Sequence, residues 1–365
     1  MKKVLVIGLT GQMGGTENYI FNLVKYIDLT KYTFDFLVVE DGHKTPYEKE
    51  INQLIGDGNN HFYYCPNMKK NYFVGRKWLK KFYTSHSYDL IYMNATTAAR
   101  TAYCRYAIDR QKTPMILHSH RSDGKRLNHT LYKPYSFRHS FIKLACSQNA
   151  ADWMYGKKCK DAIIIPNGID TARFQYSADF RKQIREEYGY SDKDIVLGHV
   201  GRFSEEKNHK FLIELAQILD TKYKFLFIGE GPTKAEITEK IRSLGLETRI
   251  TVLPVRKDVN RFYSAMDAFI MPSFNEGLPI VSVEAQCAGL TCLFSDTVSR
   301  ETNISGKCLY LSLGDLDNWK KTINELSFER YDGVAAITEC GFSMQDTAKK
   351  VETYFEKAIN VSKKR

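Results

Sequence analysis

No apolar run in this 365-residue chain approaches the roughly 18 residues that a membrane-spanning helix needs, so no spanning segment is expected. The N-terminus, Met1 to Gly8, enters a strand pattern directly, without a signal-type apolar region or cleavage site, and the protein is expected to stay in the cytoplasm. The eight cysteines include no Cys-x-x-Cys pair, and several lie within apolar segments. They read as reduced core residues, which argues against a zinc site and against a disulfide framework. Acidic residues are scarce in one stretch. Between Gly58 and Ala151 there are 16 Lys or Arg against three acids, Asp89, Asp109 and Asp123, a local net charge of +13 in a chain whose total is +11. Part of the protein is therefore a cationic surface, suited to nucleic acid, anionic lipid headgroups or a phosphorylated substrate. Zinc-finger, basic-zipper and RNA-recognition signatures are missing, which leaves nucleic acid without a reading element.

What is present is a repeated strand and helix pattern. Hydrophobic content of 43% with 26% charged residues belongs to a soluble globular protein, and the length favours two domains of similar size. Strands are predicted at residues 3–8, 34–39, 61–64, 90–93, 115–117, 142–146 and 162–165. A charged, weakly hydrophobic segment after Phe174 separates these from a second series at 195–200, 225–228, 250–253 and 268–272. With helical patterns between the strands, both series imply α/β units, each a parallel sheet with helices on both faces. The division expected is 1–170, 171–344 and a terminal helix within 345–365.

The second half is organised around residues 273–289. Glu276 and Glu284 are separated by seven residues, and Gly277 and Pro279 mark a turn that opens a helix. A strand ends just before this turn, so the unpaired helix amides face the carboxyl edge of a parallel sheet, where anions and sugar hydroxyls bind. Two carboxylates beside an anion site favour a ligand carrying both phosphates and hydroxyls, as a nucleotide sugar does. Arg202 and Lys207 follow another strand end and offer a diphosphate a planar fork and a point charge.

In the first half, the loop after the first strand carries Gly8, Gly11, Gly14 and Gly15. It can hold amides close to a phosphate, although the spacing is not the dinucleotide fingerprint. Leu117-His-Ser-His-Arg121 lies at a strand's carboxyl end and makes His118 and His120 candidates for acid/base or substrate-orienting work. His120 is preferred because it lies further out. The pairs Asp192/Asp194 and Asp315/Asp317 fall in a linker and at a helix start, where aspartate caps amides, so no metal is expected. Residues 68–86 interleave six Lys or Arg with Tyr72, Phe73, Trp78, Leu79, Phe82 and Tyr83. They form either a helix that lies on anionic lipid or an ordinary amphipathic helix with its aromatics in the core. A second basic run, 121–138, carries Lys125, Arg126 and Lys133.

Together these pieces resemble the retaining glycosyltransferases of family 4, in the branch that builds capsular and exopolysaccharide repeat units. The resemblance rests on Gly14-Gly-Thr-Glu17, His118-Ser-His120, Pro166-Asn-Gly-Ile-Asp170 and Gly201-Arg-Phe with Lys207-Asn208. Gly229-Glu-Gly-Pro232, Pro272-Ser, Glu276-Gly-Leu-Pro279 and Glu284-Ala continue it, so that it covers nearly the whole chain. It implies the GT-B fold, two Rossmann-like doubly wound domains facing a central cleft, with the terminal helix crossing back onto the first. It implies that Arg202 and Lys207 bind the donor diphosphate, that Glu284 holds the nucleotide ribose, and that Glu276 with the amides of Gly277 and Leu278 meets the donor sugar. Gly14 and Gly15 would bring the first-domain loop to the diphosphate, and His120 would lie near the reacting carbon, with His118 a second candidate. The implied reaction needs no metal or cofactor. It moves a sugar from a nucleotide sugar, UDP being the first expectation, to a polyprenyl-diphosphate-linked saccharide or other glycan at the anionic inner face of the membrane. Two rivals stand beside it: a nucleotide-sugar epimerase or sugar phosphorylase on the same fold, and a basic nucleic-acid-binding protein. A soluble epimerase has no evident use for the cationic half.

Overall fold

The computed structural model describes residues 1–11, 14–39, 44–56, 61–121 and 127–362. Lys125 and Arg126 of the second basic run lie outside the described residues. The chain divides into two compact units, Met1–Gly168 with Met344–Arg365, and Ile169–Ser343.

In the first unit, β1 (Lys2–Ile7), β2 (Tyr32–Val38), β3 (Phe62–Tyr64), β4 (Leu90–Ala95), β5 (Met115–Ser119), β6 (Ile142–Ala145) and β7 (Ile163–Ile164) form one parallel sheet. Their order is β3-β2-β1-β4-β5-β6-β7. The chain winds outward from β1 and then restarts at β4, and this reversal opens a crevice at the carboxyl ends of β1 and β4, where ligands bind in such sheets. Successive side chains alternate between the two faces. Val4, Val6 and Tyr92 pack with Ile20 and Val24 of the helix Gly15–Tyr26, whereas Leu5, Ile7 and Met93 pack with Leu79, Phe82 and Tyr83 of the helix Tyr72–Ser85.

The last helix, Met344–Ser362, belongs to this unit although it follows the second in sequence. Its Val351, Phe355 and Ala358 enter the core that holds Ile20 and Val24, and full burial of a side chain such as Phe355 contributes about 1.5–3 kcal/mol. Lys2 pairs with Glu356, which also accepts from the Tyr32 hydroxyl at 2.6 Å.

The second unit repeats the plan with β8 (Ile195–Val200), β9 (Tyr223–Ile228), β10 (Ile250–Leu253), β11 (Ala268–Met271), β12 (Thr291–Ser295) and β13 (Cys308–Leu311). The order is β10-β9-β8-β11-β12-β13, parallel throughout, with the winding reversal between β8 and β11. The paired aspartates serve the backbone: Asp194 accepts from the Ser191 amide at 2.7 Å, and Asp315 caps the helix Leu316–Glu325 through the Asn318 amide at 2.9 Å. Among the described residues, no helix is long and apolar enough to cross a membrane.

The stretch 68–86 divides between its two readings. Leu79, Phe82 and Tyr83 are core residues, and Trp78 stacks on Phe82 at 5.2 Å between ring centroids. Only its leading aromatics, Tyr72 and Phe73, are exposed, at 41% and 82%.

Candidate functional site

In the second unit, β8 ends at Val200 and Gly201-Arg202-Phe203 turns over the carboxyl edge of the sheet. The loop after β9 lies against this turn, and only glycine permits it. A Cβ on Gly229 would meet the Gly201 carbonyl oxygen at 1.9 Å, and one on Gly231 would meet that of Phe203 at 2.1 Å. Phe203 is buried and stacks on His209 at 4.0 Å, fixing the start of the helix His209–Ile218. The 3-10 turn Glu205–Lys207 precedes it and ends at Asn208, whose φ of 54° is left-handed, a conformation asparagine tolerates.

Lys207, at the end of this turn, pairs with the Glu276 carboxylate. The two side chains are 15% and 16% exposed, so the pair is largely shielded from water. The backbone also ties the two loops together, with the Phe274 amide donating to the Glu206 carbonyl at 2.9 Å, while the Ser299 amide, from the loop after β12, donates to the Glu276 carbonyl at 2.9 Å. Gly277 and Leu278 follow, half-buried, with Leu278 against the unit's core. The helix Ile280–Cys287 then starts at Pro279 with no side-chain cap; the Ser282 amide turns back to the Pro279 carbonyl at 3.0 Å, which leaves the two amides before it to a ligand or solvent.

Glu284 lies within this helix, 5% exposed, and accepts from the Tyr263 hydroxyl at 3.0 Å. Burial pushes its carboxyl up to about 7, and the Tyr263 hydrogen bond and the nearby Arg173 offset only part of that effect. Arg202 is exposed, with no ion pair among the described residues.

Two further polar residues of this region, His199 and His209, went unnoticed in the sequence, and Ser273 was marked only through the Pro272-Ser pair. His199 Nδ1 donates to the Ile270 carbonyl at 2.8 Å, while its Nε2, both nitrogens of His209 and the Ser273 hydroxyl are buried without a partner among the described residues. Gly201 separates His199 from Lys207: a Cβ there would stand 3.1 Å from the imidazole Nε2 and 3.7 Å from Lys207 Cδ. Burial, with the Lys207 charge acting in the same direction, pushes His199 down to about 4 and His209 to about 2, so both are neutral near pH 7. A histidine in an apolar strand and another at a helix start look like ordinary core residues in the sequence, and the signal that finds them is their orphaned nitrogens.

In the first unit, Gly8 follows β1 at φ 147°, and a Cβ there would meet the Asn94 carbonyl oxygen at 2.6 Å. Buried Arg100, another residue passed over in the sequence, donates to the Gly8 carbonyl at 3.0 Å. Glu17 folds back over the start of the helix Gly15–Tyr26, accepting from the Thr10 hydroxyl at 2.7 Å. A Cβ on Gly14 would meet its Oε2 at 2.7 Å, whereas one on Gly15 would meet nothing within 4 Å. Gly14 thus makes room for a protein carboxylate, which meets the positive end of the helix, and Gly15 borders open space.

His118 is fully buried in β5. Its Nδ1 lies 2.7 Å from the Tyr92 hydroxyl and 3.4 Å from that of Tyr19. Burial removes it from direct contact with a ligand and makes it a support for His120, whose ring centroid is 4.2 Å away. His120 lies past the strand end with Nδ1 2.9 Å from Asn167 Oδ1 and Nε2 2.9 Å from Asn94 Oδ1. Burial pushes it down to about 4, with the Arg100 charge adding to the effect and the Asn167 hydrogen bond opposing it. A neutral imidazole offers one donor and one acceptor, so one amide must present its nitrogen to the ring. Asn94, whose Nδ2 otherwise lies buried without a partner among the described residues, is the amide that gains by turning. Both nitrogens of His120 are held by protein groups, which makes it a fixed dipole and not a mobile base.

Residues 13–173 match the family model for Glycosyltransferase Family 4, and residues 180–326 match that for Glycosyl transferases group 1. The chain is a family 4 glycosyltransferase. Its two Rossmann-like units are those of the GT-B fold. The enzyme is 27% identical over 338 residues to the putative glycosyltransferase EpsF of Bacillus subtilis, covering 88% of this chain and 87% of that one. Over 169 residues, 43% of this chain and 42% of the other, the glycosyltransferase is 27% identical to the UDP-Gal:alpha-D-GlcNAc-diphosphoundecaprenol alpha-1,3-galactosyltransferase of Escherichia coli. It shares its fold with Anabaena HepE, solved in complex with UDP and glucose, at a TM-score of 0.79 and 19% identity over 98% of this chain and 100% of that one.

Proposed function

We propose that the enzyme transfers a sugar, with retention of anomeric configuration, from a nucleotide sugar to a lipid-linked or polymeric saccharide in cell-surface polysaccharide synthesis. The observation that carries this reading is the shielded Lys207–Glu276 pair at the winding reversal of the second sheet, beside an uncapped helix start. In this reading the pair is a resting arrangement. An arriving diphosphate competes for the Lys207 ammonium, and the freed Glu276 carboxylate accepts hydrogen bonds from the donor sugar, whose other hydroxyls meet the amides after Gly277 and Leu278. Exposed Arg202 supplies the second cation. As the glycosidic bond breaks, charge develops on the leaving diphosphate, and cations already in place stabilise it without reorganising. Glu284 accepts from the ribose hydroxyls. In the first unit, Gly15 offers bare backbone and His120 a neutral, oriented ring at the carboxyl edge of that unit's own sheet. The cations are the protein's own, so the reading requires neither metal nor cofactor.

UDP is the nucleotide favoured, supported by the UDP held in HepE and by the UDP-galactose named for the E. coli relative. The same relative's diphosphoundecaprenol acceptor supports a lipid-diphosphate acceptor here, as does the +13 stretch, which suits a cytoplasmic enzyme working against the inner face of a membrane. Incubation with a panel of UDP- and GDP-sugars and membrane lipid extract, followed by mass spectrometry and NMR of the product's anomeric centre, tests the reading. Transfer with retention is expected. A donor epimerised without transfer would favour the epimerase alternative, and no transfer together with no donor-induced thermal shift would remove the transferase reading.

A further inference from the structure

We propose that the starts of the helices Tyr72–Ser85 and Leu127–His139 together form the surface that seats the enzyme on an anionic lipid bilayer. This deepens, and rests on, the reading of a membrane-borne acceptor.

The local geometry turns the apolar residues outward. Gly75 lets the first helix lie on the preceding segment, since a Cβ there would meet Met68 Cγ at 2.4 Å and the Pro66 carbonyl oxygen at 3.2 Å. Asn71 caps the helix by accepting from the Val74 amide at 3.1 Å. With Leu79, Phe82 and Tyr83 committed to the core, the opening turn projects: Tyr72, Phe73 and Val74 are 41%, 82% and 50% exposed. On the second helix Leu127 and Leu131 are four residues apart, hence on one face, and are 76% and 66% exposed. Tyr72 and Leu127 line the same cavity of about 440 Å³, together with Met68, Lys69, Asn128 and Tyr132, so the two helix starts border one concavity.

Five large apolar side chains exposed together mark an interaction surface, and charge decides which partner. Residues 66–88 hold six Lys or Arg and no acid, and the helix Leu127–His139 adds Lys133 and Arg138, again with no acid. A protein partner would have to place acids against cations of fixed spacing. A leaflet supplies mobile anions to all of them while taking up the exposed rings and leucines at headgroup depth.

Co-sedimentation of the full chain with phosphatidylcholine vesicles, with and without phosphatidylglycerol, tests the proposal. Binding is expected only with the anionic lipid, and salt should weaken it. Each cation near an anionic leaflet strengthens binding roughly fivefold, so neutralising Lys77 and Lys81 should weaken it about 25-fold. Tyr72→Ser with Phe73→Ser, or Leu127→Ser with Leu131→Ser, should each weaken it about tenfold or more. These residues are exposed, so circular dichroism and the UDP-induced thermal shift should match wild type. Equal binding to neutral vesicles, or serine variants that bind like wild type, would overturn the proposal. So would a wild-type dimer that the serine variants dissolve while vesicle binding persists, because the surface would then be covered by a second copy. Vesicle binding lost in the variants, in an enzyme that transfers no sugar to any acceptor, would support this surface and count against the transferase reading alone.

Discussion

Replacing Glu284 with glutamine should stabilise the second unit while removing donor recognition. The carboxyl is raised from the ordinary 4.5 to about 7, chiefly because the helix Ile280–Cys287 buries it, so the folded unit holds this proton more tightly than the unfolded chain. Below about pH 4.5 the group is protonated in both states and contributes nothing. Above about pH 7 it is ionised in both, and the folded state bears the whole cost of a shielded charge; between these limits stability falls as pH rises. The gap between 4.5 and about 7 corresponds to about 3 kcal/mol. Glutamine cannot ionise, yet it keeps an oxygen for the Tyr263 hydroxyl. The variant should therefore gain about 2–3 kcal/mol at pH 8 and almost nothing at pH 4.5. Urea denaturation at both pH values, followed through the buried Trp319 of this unit after Trp78 and Trp153 are replaced with phenylalanine, measures the difference. If ribose hydroxyls donate to the ionised carboxylate, UDP affinity of the wild type should fall about tenfold per pH unit below about 7, and calorimetry should find little binding by the variant. A gain equal at both pH values would refute the burial argument, and a variant that still binds UDP tightly would refute the ribose role.

Lys207→Met takes away the ammonium that the shielded Glu276 carboxylate pairs with and should lower stability by up to about 3–5 kcal/mol. Adding Glu276→Gln should restore most of that stability but none of the turnover, which denaturation and transferase assays on the same samples would separate. Gly229→Ala places a Cβ where the Gly201 carbonyl oxygen lies 1.9 Å away, and should give a sharply lowered melting temperature or no folded protein, read by circular dichroism. Asn94→Asp sets a carboxylate against His120 and should raise its ionisation from about 4 toward neutrality, observable as a shifted imidazole titration by NMR and as a displaced acid limb in the pH profile of transfer. A merely structural role for Asn94 would lower activity without moving that limb.

The strands were legible because buried parallel strands are short apolar runs, and β8 and β10 begin and end where the pattern says they should. The strands β12 and β13 fall outside the predicted series: they are only five and four residues long, with Leu293, Phe294 and Leu309 as their apolar signal. The site divides in a more instructive way. A strand end, a turn glycine and a charged side chain are local features, so the sequence could place Arg202, Lys207, Glu276 and Glu284 at one sheet edge. Mutual partnership is not local. Lys207 and Glu276 are 69 residues apart and look like two independent ligand contacts until the loops after β8 and β11 are laid side by side, when they become one ion pair that a donor would have to open. His118 and His120 show the same limit. Their shared parity places both rings on one face of the sheet, but only Tyr19 and Tyr92, from elements 73 residues apart, close over His118 and leave His120 as the ring at the edge. Asn94 and Asn167 then hold that ring at both nitrogens. Residue type thus shows what each strand end can offer a ligand, while the fold decides which of those groups are already engaged with one another.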